Sequence, residues 1–171
     1  MNEIFRKLET WRGYRNIPRF NKNVYVADIL EELAEYLRAK TEYDKIDALC
    51  DIAVFSINTA LVVEDDILEA NEFYTTSINE IMRMIVEIKT RLDTEYIIDI
   101  TNIAFSIMYQ MGYDYKMCML ETIKEISSRE QDPLQKQEWL LNGASGKWKK
   151  DTSDEAKAKW YKADYERCRV N

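Results

Sequence analysis

The stretch from Ile46 to Val63, IDALCDIAVFSINTALVV, constrains the fold more than any other part of the chain. Wound at about 100° per residue, it is apolar in nearly every direction. Ile46, Leu49, Ala53 and Ile57 share one side, while Ala48, Ile52 and Phe55 point elsewhere. A helix with no polar face must be enclosed by other elements. Yet Asp47, Asp51 and Asn58 fall on one narrow stripe, because steps of four and seven residues return to nearly the same direction. Moving an ionised carboxylate out of water without a partner costs several kcal/mol. The stripe therefore requires a counter-charge, either from basic side chains or from a metal ion.

The segment just upstream, VYVADILEELAEYLRAK, reads as a helix from about Val24 to Lys40, with Val26, Leu30, Leu33, Ala34 and Leu37 on its core face. Asp28, Glu31, Glu32 and Glu35 lie away from the centre of that face; taken alone, such acids form a solvated surface. A short polar turn from Thr41 to Asp44 folds this helix back antiparallel onto the next, so that carboxylates from two facing helices converge. The candidate set is Glu32, Glu35, Asp47 and Asp51, with Glu31 as an extra. The chain has no histidine, which leaves a site of oxygen ligands, the kind that Mg²⁺ or Mn²⁺ prefers. Divalent ions held in this way orient phosphates, offset developing charge and activate water, and a carboxylate not used as a ligand can act as general base.

A length of 171 residues suits one well-buried domain, and four glycines with two prolines leave little material for the turns of an all-β fold. The expected class is all-α. A formal net charge of -7 argues against a nucleic-acid polymer as ligand, since that binding neutralises phosphates with Lys and Arg, but a single nucleotide carried with a metal stays compatible. Cys50, Cys118 and Cys168, an odd number without close spacing, suit reduced thiols. The opening MNEIFRKLETWRGYR is charged throughout, unlike a secretory signal, and acids interrupt the longest apolar run, so neither export nor a membrane span is expected. The expected location is cytoplasmic.

Around this pair the chain offers further helices. Asn2 to about Arg12 carries Ile4, Phe5, Leu8 and Trp11 on one face, and the loop GYRNIPRFNKN after it can lay Arg15, Asn16 and Arg19 over the mouth of a site. An acidic bend, EDDILEANEF, leads into a helix from about Ile67 to Thr90 with Ile78, Ile81, Met82, Ile85 and Ile88 as its core stripe. Tyr96 to Met111 is a second helix apolar on most sides, with Asp99, Asn102 and Ser106 on one stripe. After a break at Gly112 and Asp114, Tyr115 to about Arg129 is again helical. Here Glu125 and Arg129 can simply pair within the helix, or Lys124 and Arg129 can meet substrate phosphates. The region 143–171 is a polar tail with a short helix capped by Thr152 or Ser153. Its Lys147, Trp148, Trp160 and Lys162 can clamp a phosphate and stack on a base, or the tryptophans can anchor the tail while the lysines stay in water.

The strings EELAEYL and DALCDIAVFSINTA together resemble the paired-helix signature of the all-α, MazG-like nucleoside triphosphate pyrophosphohydrolases, particularly phage-type members. In that family an ExxE pair and a later ExxD pair hold Mg²⁺. Glu32 and Glu35 match the first pair and Asp51 the final aspartate; the strict third position falls on Ala48, whereas the phage-type form D-A-L-x-D is met by Asp47. MGYDYKMCMLETIKEISSRE, GKWKKD and WYKADYERC resemble the C-terminal part of the same group. Residues 61–100, and part of 132–142, look like insertions that shorter members lack.

The resemblance implies a single-domain helical bundle, a homo-oligomer (dimer or tetramer), and Mg²⁺-dependent splitting of a (deoxy)nucleoside triphosphate into monophosphate and pyrophosphate. Glu32, Glu35, Asp47 and Asp51 would be the metal ligands, with Arg15, Lys124, Arg129, Lys147 and Lys162 as candidate phosphate contacts and Asn58 orienting a ligand or the substrate. Two rivals stay open: a non-catalytic interaction protein whose Asp47 and Asp51 are paired with basic residues, and a related hydrolase acting on an alarmone or a modified nucleotide.

Overall fold

A computed structural model gives the fold for residues 1–17, 22–59, 67, 77–90, 94–145 and 148–170. The elements are α1 (Asn2–Tyr14), α2 (Lys22–Arg38), α3 (Glu42–Thr59), α4 (Ile78–Thr90), α5 (Thr94–Gln110), α6 (Tyr115–Ser128), α7 (Pro133–Asn142) and the single-turn α8 (Asp154–Lys157), followed by a 3₁₀ turn at Glu166–Cys168. Among the described residues there is no strand, only isolated bridges pairing Tyr113 with Arg169 and Gln131 with Lys150. The fold class is all-α, as the scarcity of turn residues requires.

Four helices close a ring in the order α2, α3, α5, α4, each touching the next, and α4 touching α2 again. α1 and α6 pack on the remaining side of α3, which makes α3 the one helix in contact with α1, α2, α5 and α6. Its burial follows: Ile46, Ala48, Leu49, Cys50, Ile52, Ala53, Val54, Ser56 and Ile57 are all inside. α5 is enclosed in the same way from Ile100 to Met108, and its Phe105 stacks on Tyr115 with ring centroids 4.7 Å apart. In α4, Ile81, Ile85 and Ile88 are buried with Met84, and Ile78 and Met82 pack at the margin. The part of its expected helix before Ile78 falls largely outside the described residues, as does the end of the central helix beyond Thr59.

The helix ends follow local chemistry. Thr41 and Asp44 form a reciprocal cap on α3: the Asp44 amide donates to Thr41 Oγ1 at 3.1 Å, and the Thr41 amide donates to Asp44 Oδ2 at 3.0 Å. This box, in a three-residue connection, turns α2 back against α3. Asp114 caps α6 by accepting from the amides of Lys116 and Met117, Asp132 caps α7 ahead of Pro133, and Ser153 caps α8.

One expectation needs correction. The buried stripe of α2 is Tyr25, Ile29 and Leu33, whereas Leu30 and Leu37, expected inside, are 52% and 62% exposed. Adjacent residues on a helix differ by about 100°, so two overlapping stripes compete for the core. The Tyr25 stripe prevails because α2 packs on α3 and α4 at once, and because the Tyr25 hydroxyl finds Ser56 Oγ at 2.9 Å, removing the penalty of burying it. The rotation matters for the site: it turns Glu32, beside Leu33, toward α3.

Candidate metal centre

Glu32 and Glu35 on α2 and Asp47 and Asp51 on α3 lie within electrostatic reach of one another across the hairpin. Glu32, Asp47 and Asp51 are half-buried, while Glu35 is exposed. Their electrostatics record the convergence. The Asp51 carboxyl is pushed from its ordinary 3.8 to about 7, first by loss of hydration and then by the charge of Asp47, with Arg129 pulling the other way. Glu32 is pushed up to about 8 by burial and then by Asp51, Glu35 and Asp47. Asp47 is also raised by burial, against a hydrogen bond from Tyr165 that favours its ionised form. Arg129, 25% exposed, is the cation that faces both aspartates, yet its ion pair is with Glu125 at 3.2 Å. Neither aspartate makes an ion pair with lysine or arginine among the described residues.

Two buried polar atoms near this cluster lack a hydrogen-bond partner among the described residues: Glu32 Oε2 and Arg129 Nε. An unpartnered oxygen in an acid-rich, histidine-free set fits a hard divalent cation, and an unpartnered guanidinium N–H fits an anionic oxygen. As the side chains stand, no three Asp, Glu or Cys residues among the described ones are grouped closely enough to hold a metal ion.

The C-terminal segment supplies a partner that sequence reasoning missed. The Tyr165 hydroxyl donates to Asp47 Oδ1 at 2.6 Å, a contact between residues 118 positions apart, and lies 2.9 Å from Thr122 Oγ1. The segment is tied down along α6: the amide of Tyr161 donates to Ser128 Oγ, that of Ala163 to Glu125 Oε2 and that of Asp164 to Glu121 Oε2. The Tyr161 hydroxyl also donates to Glu121. Cys168 packs at the core beside Cys118, whose thiol is pushed up by hydrogen bonding with Cys50 and by burial. The only prior signal for Tyr165 was its spacing to Cys168, an apolar pair one turn apart in a polar tail.

The other nominated residues are dispersed. Asn58 lies half-buried on α3, two turns beyond Asp51. Arg15 is buried, and its guanidinium is committed elsewhere: Nη2 donates to the carbonyls of Ile126 and Arg129, both at 3.1 Å, between the rings of Trp11 and Trp148. Burial pulls its pKa down to about 10. Lys124 Nζ donates to Glu121 at 3.0 Å and to Tyr161 at 3.2 Å. Lys162 is exposed, and Arg19 and Lys147 lie outside the described residues. The four carboxylates and Arg129 thus feel one another's charge without forming a metal-sized group among the described residues, while the side chains of Arg15 and Lys124 are hydrogen-bonded elsewhere.

No protein-family model, curated protein or solved structure matches the chain. No described helix is long and apolar enough to cross a membrane.

Proposed function

We propose that the chain is a Mg²⁺-dependent nucleotide pyrophosphohydrolase of the MazG-like all-α type, splitting a (deoxy)nucleoside triphosphate into monophosphate and pyrophosphate. The observation that carries this reading is the carboxylate cluster itself: Asp51 near 7 and Glu32 near 8, with one buried oxygen unpartnered and no ion pair to offset the charge among the described residues. Structural carboxylates are normally paired when desolvated, and strongly raised groups in a shared site mark functional positions. Bound Mg²⁺, or Mn²⁺ in its place, would supply Lewis-acid activation of the phosphate and of the attacking water.

The chain's own groups have distinct tasks in this scheme. Glu32, Glu35, Asp47 and Asp51 would hold the ion. Tyr165 fixes Asp47 through Oδ1 and leaves its second oxygen for ligation. Arg129 has a spare Nε–H for a phosphate oxygen beside the carboxylates. The exposed leucines of α2, Leu30 and Leu37, offer a surface for the homo-oligomer that this reading includes, and the setting is cytoplasmic.

The test is a panel of nucleoside triphosphates with Mg²⁺, read by pyrophosphate release, beside Asp51→Asn. The expected outcome is metal-dependent release that falls at least about a hundredfold in the variant, as for loss of a direct metal ligand. Release from no nucleotide, or full activity in Asp51→Asn, would end the proposal.

A further inference from the structure

Arg15 and Lys124, which take no part in the carboxylate cluster, line a common groove of about 430 Å³ between α1 and α6. Arg6 and Lys7 complete its cations, and no carboxylate is among its lining residues, in a chain whose net charge is -7. The floor is apolar and aromatic, formed by Trp11, Leu120 and Ile123. At the rim Tyr14 holds its ring 72% exposed to solvent. A cavity of this volume, apolar below and charged at the edge, has the dimensions and polarity of a small-ligand site.

Two features distinguish it from an incidental basic surface. Arg15, which lines the groove, is only 4% exposed, yet its Nε has no hydrogen-bond partner among the described residues, so its buried donor is left over. Two of the rim cations are held loosely: Lys7 pairs with Glu3 at 3.5 Å on the surface, and Arg6 with no acid among the described residues, whereas Lys124 is fixed by Glu121 and Tyr161. Exposed pairs of this kind are worth little and yield readily to a multiply charged anion.

We infer that the α1–α6 groove is an accessory binding site for a small phosphorylated ligand bearing an aromatic ring, a nucleoside phosphate in chemical class, separate from the carboxylate cluster. The phosphate is met by Arg6, Lys7 and Lys124, and the ring by the Trp11 and Tyr14 side. Arg15 links this groove to the cluster, because the guanidinium that lines the groove also holds the carbonyl of Arg129, the cation facing Asp47 and Asp51. The inference does not depend on the hydrolase reading, since the groove needs no divalent ion.

The experiment is isothermal titration of the full chain with adenosine 5′-monophosphate in EDTA, repeated with inorganic phosphate, with adenosine, and with the double variant Arg6→Glu/Lys7→Glu. Both substituted residues are exposed, so the variant should fold, and its circular dichroism and melting are checked against the parent. The expected result is saturable metal-free binding of the monophosphate, roughly tenfold or more weaker in the double variant, with each half of the ligand binding more weakly than the whole. Absence of saturable binding in EDTA, or equal affinity in the double variant, overturns the site. Phosphate alone binding as tightly as the nucleotide overturns the aromatic half of the assignment.

Discussion

Replacing Asp51 by asparagine in the metal-free protein should stabilise it at pH 8, although it removes a buried hydrogen-bonding group. The Asp51 carboxyl rises from 3.8 to about 7 on folding. At 1.36 kcal/mol per pH unit this corresponds to at most about 4 kcal/mol against the ionised form. Because one side of Asp51 stays open to water, about 2 kcal/mol is the figure to expect. The sign follows from linkage. Between about pH 4 and 7 the folded state retains a proton that the unfolded chain has already lost, so stability falls as pH rises through that window and levels off above it. Glu32, near 8, extends the decline by about a further unit. The carboxamide that replaces the acid cannot ionise, so the variant should lack part of this slope. At pH 8 it should melt about 4–8 °C above the parent, given the size of the chain.

The assay is thermal and urea unfolding by circular dichroism in EDTA at pH 5 and pH 8, then with excess Mg²⁺. Magnesium should restore the parent at pH 8, by about 2.7 kcal/mol at a hundredfold excess over its dissociation constant, and should act only weakly on the variant. A variant no more stable than the parent at pH 8 in EDTA, with the same pH slope, would refute the claim that the cluster confines unpaired charge.

Tyr165→Phe should raise the Mg²⁺ concentration for half-maximal pyrophosphate release about tenfold, with a smaller change at saturating metal, because Asp47 loses the hydroxyl that orients it. Metal titration of the two proteins checks this. Arg15→Lys should lower unfolding free energy by about 2–3 kcal/mol in urea titration, since an ammonium cannot reproduce the planar fork that meets two carbonyls between two indole rings. Phe105→Ala, at a fully buried ring stacked on Tyr115, should cost about 3–5 kcal/mol by the same measurement without shifting the metal requirement.

The parts of this molecule that could be read from its sequence are those decided by nearest neighbours along the chain. The all-round apolar character of α3 required enclosure, and its stripe placed Asp47 and Asp51 on a common side; Gly112 with Asp114 marked the start of α6, and Thr152 or Ser153 the start of α8, where Ser153 is the cap. What escaped was decided by partners distant in sequence. Whether α2 buried Leu30 or Ile29 depended on α4 being present beside α3, and no local pattern encodes that. Arg15 read as a free cation because Trp148 and the carbonyls of α6 lie more than a hundred residues away. Tyr165 was invisible for the same reason. The acidic quartet and the hairpin that turns its two helices together were legible, but how far burial raises Glu32 and Asp51 emerged only with the packing around them.

The hydroxyl that steadies Asp47 is synthesised 118 residues after the carboxylate it holds. During translation the acidic helices emerge long before it, so the growing polypeptide carries their repelling charges without that restraint. On the proposed chemistry, competence therefore waits for Tyr165 to be made and to reach Asp47.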